Sequence, residues 1–231
     1  MCSKSIPLRK LLRFAILAGV MSLGAVLPAV AQISSNDVRQ RYQKQSSSSA
    51  NIDEQVRKLR SDDVLERMEG VKGLHETNDS KAFEFLIQAI GDKDLRVRVK
   101  AIEALADMKA TVATPVLVQH LFLVTTETQM KQRILAALGK IGDPAATRPI
   151  AEFLQRDLDP ATRGTAIYAL GDIGSADATA PLEKISEKDE DPTQRRLARE
   201  ALAKVRQHQE ARAREAKGPQ ETFLEPREPV Q

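Results

Sequence analysis

The sequence has few of the side chains on which redox, metal-binding and base-stacking chemistry usually depends. Its 231 residues include one Cys, three His, two Tyr and no Trp. A single Cys cannot form an intramolecular disulfide, and it leaves no Cys cluster for zinc. The aromatic content of 3% argues against a β-sandwich and against a surface on which nucleic-acid bases stack. These shortages favour helices that pack through Ala and Leu.

Motifs of known catalytic chemistry are also missing from the sequence. We find no Gly-x-Ser-x-Gly elbow, no phosphate-binding Gly loop and no His-Glu-x-x-His pair. His75, His120 and His208 are far apart, and the dipeptide His75-Glu76 supplies too few ligands for a metal. We therefore predict a non-enzymatic protein with no catalytic residue, no metal site and no cofactor. The alternative is an enzyme, or an accessory subunit of one, with a site that has no recognisable motif.

The N-terminus has the three parts of a secretory signal peptide. Residues 1–13 carry four basic side chains and no acid, and the uncharged apolar run FAILAGVMSLGAVL follows at 14–27. Pro28 and an Ala-Val-Ala site then precede Gln32. The apolar run is shorter than the roughly 20 residues of a membrane-spanning helix. We expect cleavage before Gln32 and export to a bacterial periplasm, with a retained membrane anchor over 14–31 as the alternative.

The net charge changes its meaning once this segment is set aside. The whole chain has 35 Lys and Arg against 32 Asp and Glu, and a pI near 9.0. Removing residues 1–31 leaves 31 basic and 32 acidic residues and takes away Cys2. The basic character therefore belongs largely to the targeting signal, and nucleic acid is not an expected partner.

Two further segments lack a pattern that could form a core. Residues 32–52 are polar and contain a run of four Ser, which predicts a flexible linker. Residues 208–231 begin with a charged stretch that could prolong a helix, and they end in a Pro-rich tail that we expect to be disordered. Within this tail, Phe223-Leu224 could act as a short docking peptide.

Between residues 53 and 207 the chain repeats one unit five times. The repeats are marked by Leu74, Leu105, Leu138, Leu170 and Leu202, which are separated by 31, 33, 32 and 32 residues. Around each marker the apolar residues have helical spacing, and a second amphipathic segment precedes it. The predicted pairs are 51–60 with 64–77, 81–90 with 95–108, 113–124 with 130–142, 147–158 with 161–174, and 177–188 with 193–205. Stacked helical hairpins of this kind form an all-α solenoid with one continuous core.

Boundary residues agree with these hairpins. Asp-Pro pairs at 143–144, 159–160 and 191–192 predict helix N-termini, and we expect Gly139, Gly142, Gly171 and Gly174 to lie at helix ends. An acid is followed four residues later by a base in every unit: Asp63 and Arg67, Asp94 and Arg98, Glu127 and Lys131, Asp159 and Arg163, Asp191 and Arg195. We expect these residues to be caps and ion-paired rungs that align the hairpins, and not a catalytic row.

The second-helix pattern, clearest at Asp159–Gly174, is acid-x-x-x-base, then a small apolar residue, then Ala-Leu-Gly-x-Ile-Gly. It resembles HEAT repeats of the short variety called phycobilisome-lyase HEAT-like. The resemblance implies a solenoid whose second helices line a concave face, but it is hardly specific for function. The first and last units depart from the pattern, which is typical of capping repeats.

A protein or peptide of the cell envelope is the partner that we expect for this face. Arg96, Lys100 and Arg133 could form a basic patch in the middle units, beside Tyr168. Arg and Tyr are residue types that anchor interfaces, and we name these four as candidate partner-binding residues. The alternative is an ordinary solvated, charged surface.

Overall fold

The computed structural model describes residues 51–156 and 158–216, all of which belong to one compact unit. The predicted signal peptide at 1–31, most of the predicted linker and the tail beyond residue 216 lie outside the described residues. So does the predicted anchor at 14–31. Residues 51 and 52, which we assigned to the linker, are helical, and Ile52 is only 4% exposed. The packed region therefore includes these two residues.

The described ranges contain ten α-helices and no strand, which confirms an all-α fold. The helices are α1 at 51–59, α2 Val64–Thr77, α3 Ala82–Ala89, α4 Leu95–Asp107, α5 Thr114–Phe122, α6 Thr128–Ile141, α7 Thr147–Phe153, α8 Pro160–Ile173, α9 Thr179–Lys188 and α10 Pro192–Ala216. Short 3₁₀ turns lie directly before α5, α7 and α9. Each odd-numbered helix pairs with the even-numbered helix that follows it.

The even-numbered helices pack against one another in chain order, so that α4 lies between α2 and α6, and α8 between α6 and α10. The four marker residues from Leu74 to Leu170 are fully buried, and Leu202 is nearly so. Each fully buried Leu stabilises the fold by about 1.5–3 kcal/mol through the removal of apolar surface from water. The apolar faces join in one continuous core. This confirms the predicted solenoid.

Helix caps follow the prediction at four of the five acids. The side chains of Asp63, Asp94 and Asp159 accept hydrogen bonds from backbone N–H groups in the first turns of α2, α4 and α8, and Asp191 accepts from Thr193 at the start of α10. Glu127 makes no such bond at α6. These bonds satisfy N–H groups that have no partner within the helix.

The odd-numbered helices are shorter than the sequence predicts. Asp143-Pro144 begins a 3₁₀ turn that leads into α7, and α7 ends at Phe153 where we expected residue 158. An interaction from the next helix explains the early end, because Nη1 of Arg163 donates to the carbonyl of Leu154 at 3.1 Å. That contact satisfies a carbonyl that a longer helix would have used internally.

Two of the four glycines lie where we predicted and two do not. Gly142 and Gly174 end α6 and α8 with φ of 74° and 64°, the left-handed conformation that glycine adopts freely. Gly139 and Gly171, in contrast, lie inside those helices. A Cβ at Gly171 would stand 2.9 Å from both Cα and Cβ of Ala201 on α10. Glycine is needed here because neighbouring even-numbered helices approach closely.

Candidate functional site

The predicted basic patch is largely neutralised by neighbouring carboxylates. Nη2 of Arg96 lies 3.0 Å from Oδ2 of Asp94, and Nη1 of Arg133 lies 2.9 Å from Oε1 of Glu103. Lys100 is half-buried and makes no ion pair within the described ranges. Arg96 and Lys100 lie on α4, and Arg133 lies on α6, which packs against α4. This surface therefore presents mixed charge to a partner.

Tyr168 lies on α8, which packs against α6, and its environment differs from that of the three basic residues. The residue is 53% exposed, and Nζ of Lys204 stands 3.4 Å above its ring centroid. The same Nζ lies 2.7 Å from Oδ1 of Asp172. Partial burial alone would lower the pKa of Lys204, but the hydrogen bond to Asp172 and the contact with Tyr168 raise it. The cation therefore holds the ring in one orientation.

Tyr168 lies at one side of an open groove of about 580 Å³ between α8 and α10. The groove is mostly apolar, and it is lined by Pro160, Ala161, Gly164, Thr165, Tyr168, Asp191, Thr193, Gln194 and Leu197. Gly164 keeps it open, because a Cβ there would stand 3.1 Å from Cδ1 of Leu197. Tyr168 and Leu197 thus present apolar surface on two adjacent even-numbered helices.

Gln194 adds one polar group to this groove. Its residue is only 3% exposed, and its Nε2 donates to the carbonyl of Pro160 at 3.1 Å. Its Oε1 is buried and has no hydrogen-bond partner within the described ranges. A buried acceptor without a donor costs about 1–3 kcal/mol. Gln194 therefore adds a buried polar group beneath an otherwise mostly apolar groove.

Sequence reasoning identified Tyr168 but missed Gln194. The sequence offered no clear signal for it, because the position eight residues before the marker Leu is polar in three of the five units, which carry Glu66, Thr162 and Gln194 there. Only the packing of α10 against α8 shows that this amide is buried.

The histidines do not come together in the described structure. Nε2 of His75 lies 3.7 Å from Asp107, His120 is half-buried on α5, and His208 lies against Gly174. Among residues 51–156 and 158–216 no group of three or more His, Cys, Asp or Glu side chains could hold a metal ion.

None of the helices in those ranges is long and apolar enough to cross a membrane.

A search of solved structures gives several matches to this chain. One is the complex of CpcE and CpcF of phycocyanin lyase from Nostoc sp. PCC7120, with 20% identity and a TM-score of 0.54. The match covers 68% of this chain and 65% of that chain, so this protein spans about two thirds of the neighbour's length. At this identity the likeness concerns the fold alone. Human deoxyhypusine hydroxylase also matches, with 14% identity, coverage of 74% and 91%, and a TM-score of 0.35.

A comparison with curated proteins gives no match. The family model of HEAT repeats matches residues 54–122 and 121–203. These two ranges contain nearly all of the ten helices, including both sides of the groove at Tyr168. The chain therefore belongs to the HEAT-repeat family.

Proposed function

We propose that this protein is a binding scaffold that receives a peptide segment of a partner protein in the groove between α8 and α10. The observation that carries the proposal is the exposed Tyr168 on one wall of a mostly apolar groove that Leu197 lines from the other wall. Tyr combines a large apolar surface with low conformational freedom, and it is enriched among residues that dominate binding energy. The occupant supplies an apolar side chain that lies between Tyr168 and Leu197.

The structural environment of the groove supports binding without large rearrangement. Lys204, which is paired with Asp172, lies over the face of the Tyr168 ring and fixes its orientation. The two walls of the groove are the helices α8 and α10, whose apolar faces belong to the core. A site on rigid elements loses little conformational entropy when a partner binds. The basic patch that we predicted at Arg96, Lys100 and Arg133 contributes less, because two of its three charges are already paired.

An envelope location is part of the proposal. It is supported by the basic, apolar and small-residue segments of residues 1–31, which have the order and length of a secretory signal. The partner is then an exported protein or the exposed segment of a membrane protein. Retention of residues 14–31 as an anchor would tether the scaffold to the membrane and leave the groove unchanged.

The alternative is an enzyme or an enzyme accessory subunit with lyase-like activity. Its support is the likeness of the fold to the phycocyanin lyase complex. At 20% identity that likeness extends to the fold but does not identify a catalytic residue in this chain. A HEAT solenoid serves many functions. We therefore prefer binding, for which the groove gives a specific geometry.

Selection of peptides from a random displayed library tests the proposal. Peptides selected on the wild-type protein should lose about tenfold or more in affinity for Tyr168→Ala and for Leu197→Gln, since each removes contact surface worth about 1–2 kcal/mol. Leu65→Ala is the matched control, because Leu65 is an exposed apolar residue that lies on α2, away from the groove. Circular dichroism verifies that the helices persist. Selected peptides that bind both Tyr168→Ala and Leu197→Gln as tightly as the wild type would disprove the groove as the site.

A further inference from the structure

The basic residue near the start of an even-numbered helix has a recurring role in the array. In three units one terminal nitrogen of its guanidinium donates to two carbonyls of the loop before its own helix. Nη1 of Arg67 does so to residues 61 and 62, that of Arg98 to residues 92 and 93, and that of Arg195 to residues 189 and 190. This anchoring directs the opposite edge of the guanidinium, formed by Nε and Nη2, away from the loop.

In two units the next hairpin supplies a carboxylate to that opposite edge. Nε and Nη2 of Arg67 donate to the two oxygens of Asp92 at 2.8 and 3.0 Å. Nε and Nη2 of Arg163 donate to Oδ2 of Asp189 at 3.2 and 2.6 Å. Asp92 and Asp189 each lie two residues before the cap acid of the following even-numbered helix, Asp94 or Asp191. A carboxylate at this position completes the contact between hairpins.

The second unit lacks this carboxylate. The residue two before Glu127, the corresponding cap position, is Thr125. Within the described ranges Arg98 forms no ion pair, and its Nε and Nη2 donate no hydrogen bond. Arg98 therefore presents the same guanidinium edge as Arg67, but without an anion. The counterpart in the following unit, Asp157, lies outside the described residues.

A cleft of about 260 Å³ lies where the missing side chain would be. Arg98, His120 and Thr125 line it together with apolar side chains of Ile102, Met130 and Ile134. Two carboxylates also border the cleft. Asp92 is already bound by Arg67, and Glu127 is exposed and forms no ion pair within the described ranges. The fourth unit has a cleft of similar size, about 280 Å³, but there Asp189 occupies the edge of Arg163.

We propose that the cleft between the second and third hairpins binds a carboxylate ligand, whose two oxygens take the Nε and Nη2 edge of Arg98 in place of the absent Asp. The apolar part of the ligand lies against Ile102, Met130 and Ile134. A volume of 260 Å³ accommodates a small branched carboxylic acid or one C-terminal residue of a peptide. This site is separate from the peptide groove at Tyr168, and it uses the guanidinium geometry that suits carboxylates best.

The test uses two related probes, 4-methylpentanoate and a tripeptide that ends in a free Leu carboxylate. Their neutral amides serve as controls for the charge. Chemical-shift titration of the full chain, followed at the Nε–H of Arg98 and the backbone N–H of Thr125, gives the dissociation constants. We expect each amide to bind about ten- to a hundredfold more weakly, the range that corresponds to one charge-assisted contact. Preference for the acid or for the tripeptide identifies the source of the carboxylate.

Thr125→Asp is the decisive variant, because it restores the repeat's own carboxylate at an exposed loop position. It should abolish binding of both probes and shift the Nε–H of Arg98 without ligand. Thr125→Asn, which has the same shape but no charge, should bind them as the wild type does. Asp189→Thr should create a second carboxylate site at Arg163. Equal binding of acid and amide, or unchanged binding by Thr125→Asp, would overturn the proposal.

Discussion

Arg67 and Asp92, which are 25 residues apart in the sequence, join the first hairpin to the second through two parallel hydrogen bonds. The side chain of Arg67 is only 4% exposed and that of Asp92 only 12%. The hydrogen bond to Asp92 raises the pKa of Arg67, so the guanidinium stays charged at every relevant pH. Two parallel bonds of this kind fix both the distance and the orientation of the two hairpins that they connect.

Asp92→Asn should therefore destabilise the solenoid clearly. The substitution leaves the guanidinium of Arg67 enclosed without a charged partner, which is the costly way to break a buried pair. We expect the urea midpoint to fall, as measured by circular dichroism.

Glu103→Gln provides the comparison for this prediction. It breaks the exposed pair with Arg133, and exposed pairs contribute about 0–1 kcal/mol. If the urea midpoint of Asp92→Asn falls no further than that of Glu103→Gln, the buried pair of Arg67 and Asp92 contributes no more to stability than an exposed pair.

The cap of α4 predicts a pH dependence in the acid range. Hydrogen bonds from the side chain and backbone N–H of Arg96 lower the pKa of Asp94 from 3.8 to about 2. A depressed folded-state pKa gives stability that is complete above the unfolded-state value and is lost as the pH falls through about 2. Unfolding free energies of the wild type and Asp94→Asn should therefore converge between pH 4 and pH 2. A constant difference across this range would contradict the cap's assignment.

Close approach of α8 and α10 makes Gly171 intolerant of any side chain. A Cβ at this position would come within 2.9 Å of the backbone of Ala201, so the helices must separate. We expect Gly171→Ala to cost about 1–3 kcal/mol, the usual price of overpacking. Thermal denaturation gives the measurement.

Gly91→Ala is the matched control, because the nearest atom to its Cβ would be 3.5 Å away and its φ is not in the left-handed region. It should leave stability within about 1 kcal/mol of the wild type or raise it slightly. Similar losses for Gly91→Ala and Gly171→Ala would argue against the packing explanation.

His120 should titrate at an unusually low pH. Burial, and then the charge of Arg98, lower its pKa from 6.5, although the carboxylates of Asp92 and Glu127 also border the cleft. Because burial is the larger cause, Arg98→Gln should raise the pKa only part of the way back. Stability linked to this group is present above pH 6.5 and is lost as the pH falls through the lower folded-state value. Proton NMR of the imidazole follows both effects, and a pKa at or above 6.5 in the wild type would refute the prediction.

Several functional details depended on contacts between units, and the sequence pattern indicated their type without their partners. The acid and base of each unit were predicted to be caps and ion-paired rungs that align the hairpins, and Asp63 does cap α2 while Arg67 pairs with the next hairpin. The partner, Asp92, could not be named from the i, i+4 spacing, because a guanidinium is long enough to reach a carboxylate that is distant in the sequence. The same reach explains why a missing Asp at position 125 has a consequence at Arg98.

The sequence by itself determined the number of hairpins, the helix starts to within two residues and the buried face of every even-numbered helix. Helical periodicity, cap residues and proline positions act over a few residues, so they can be recognised in the sequence without knowledge of the tertiary structure. Only the tertiary structure decided that Gly171 is a packing position and that, among the residues it describes, Oε1 of Gln194 has no donor and the Nε and Nη2 edge of Arg98 has no carboxylate. These three facts arise where one hairpin stacks on another, and the distances between stacked hairpins are set by the whole core and not by neighbours in the chain.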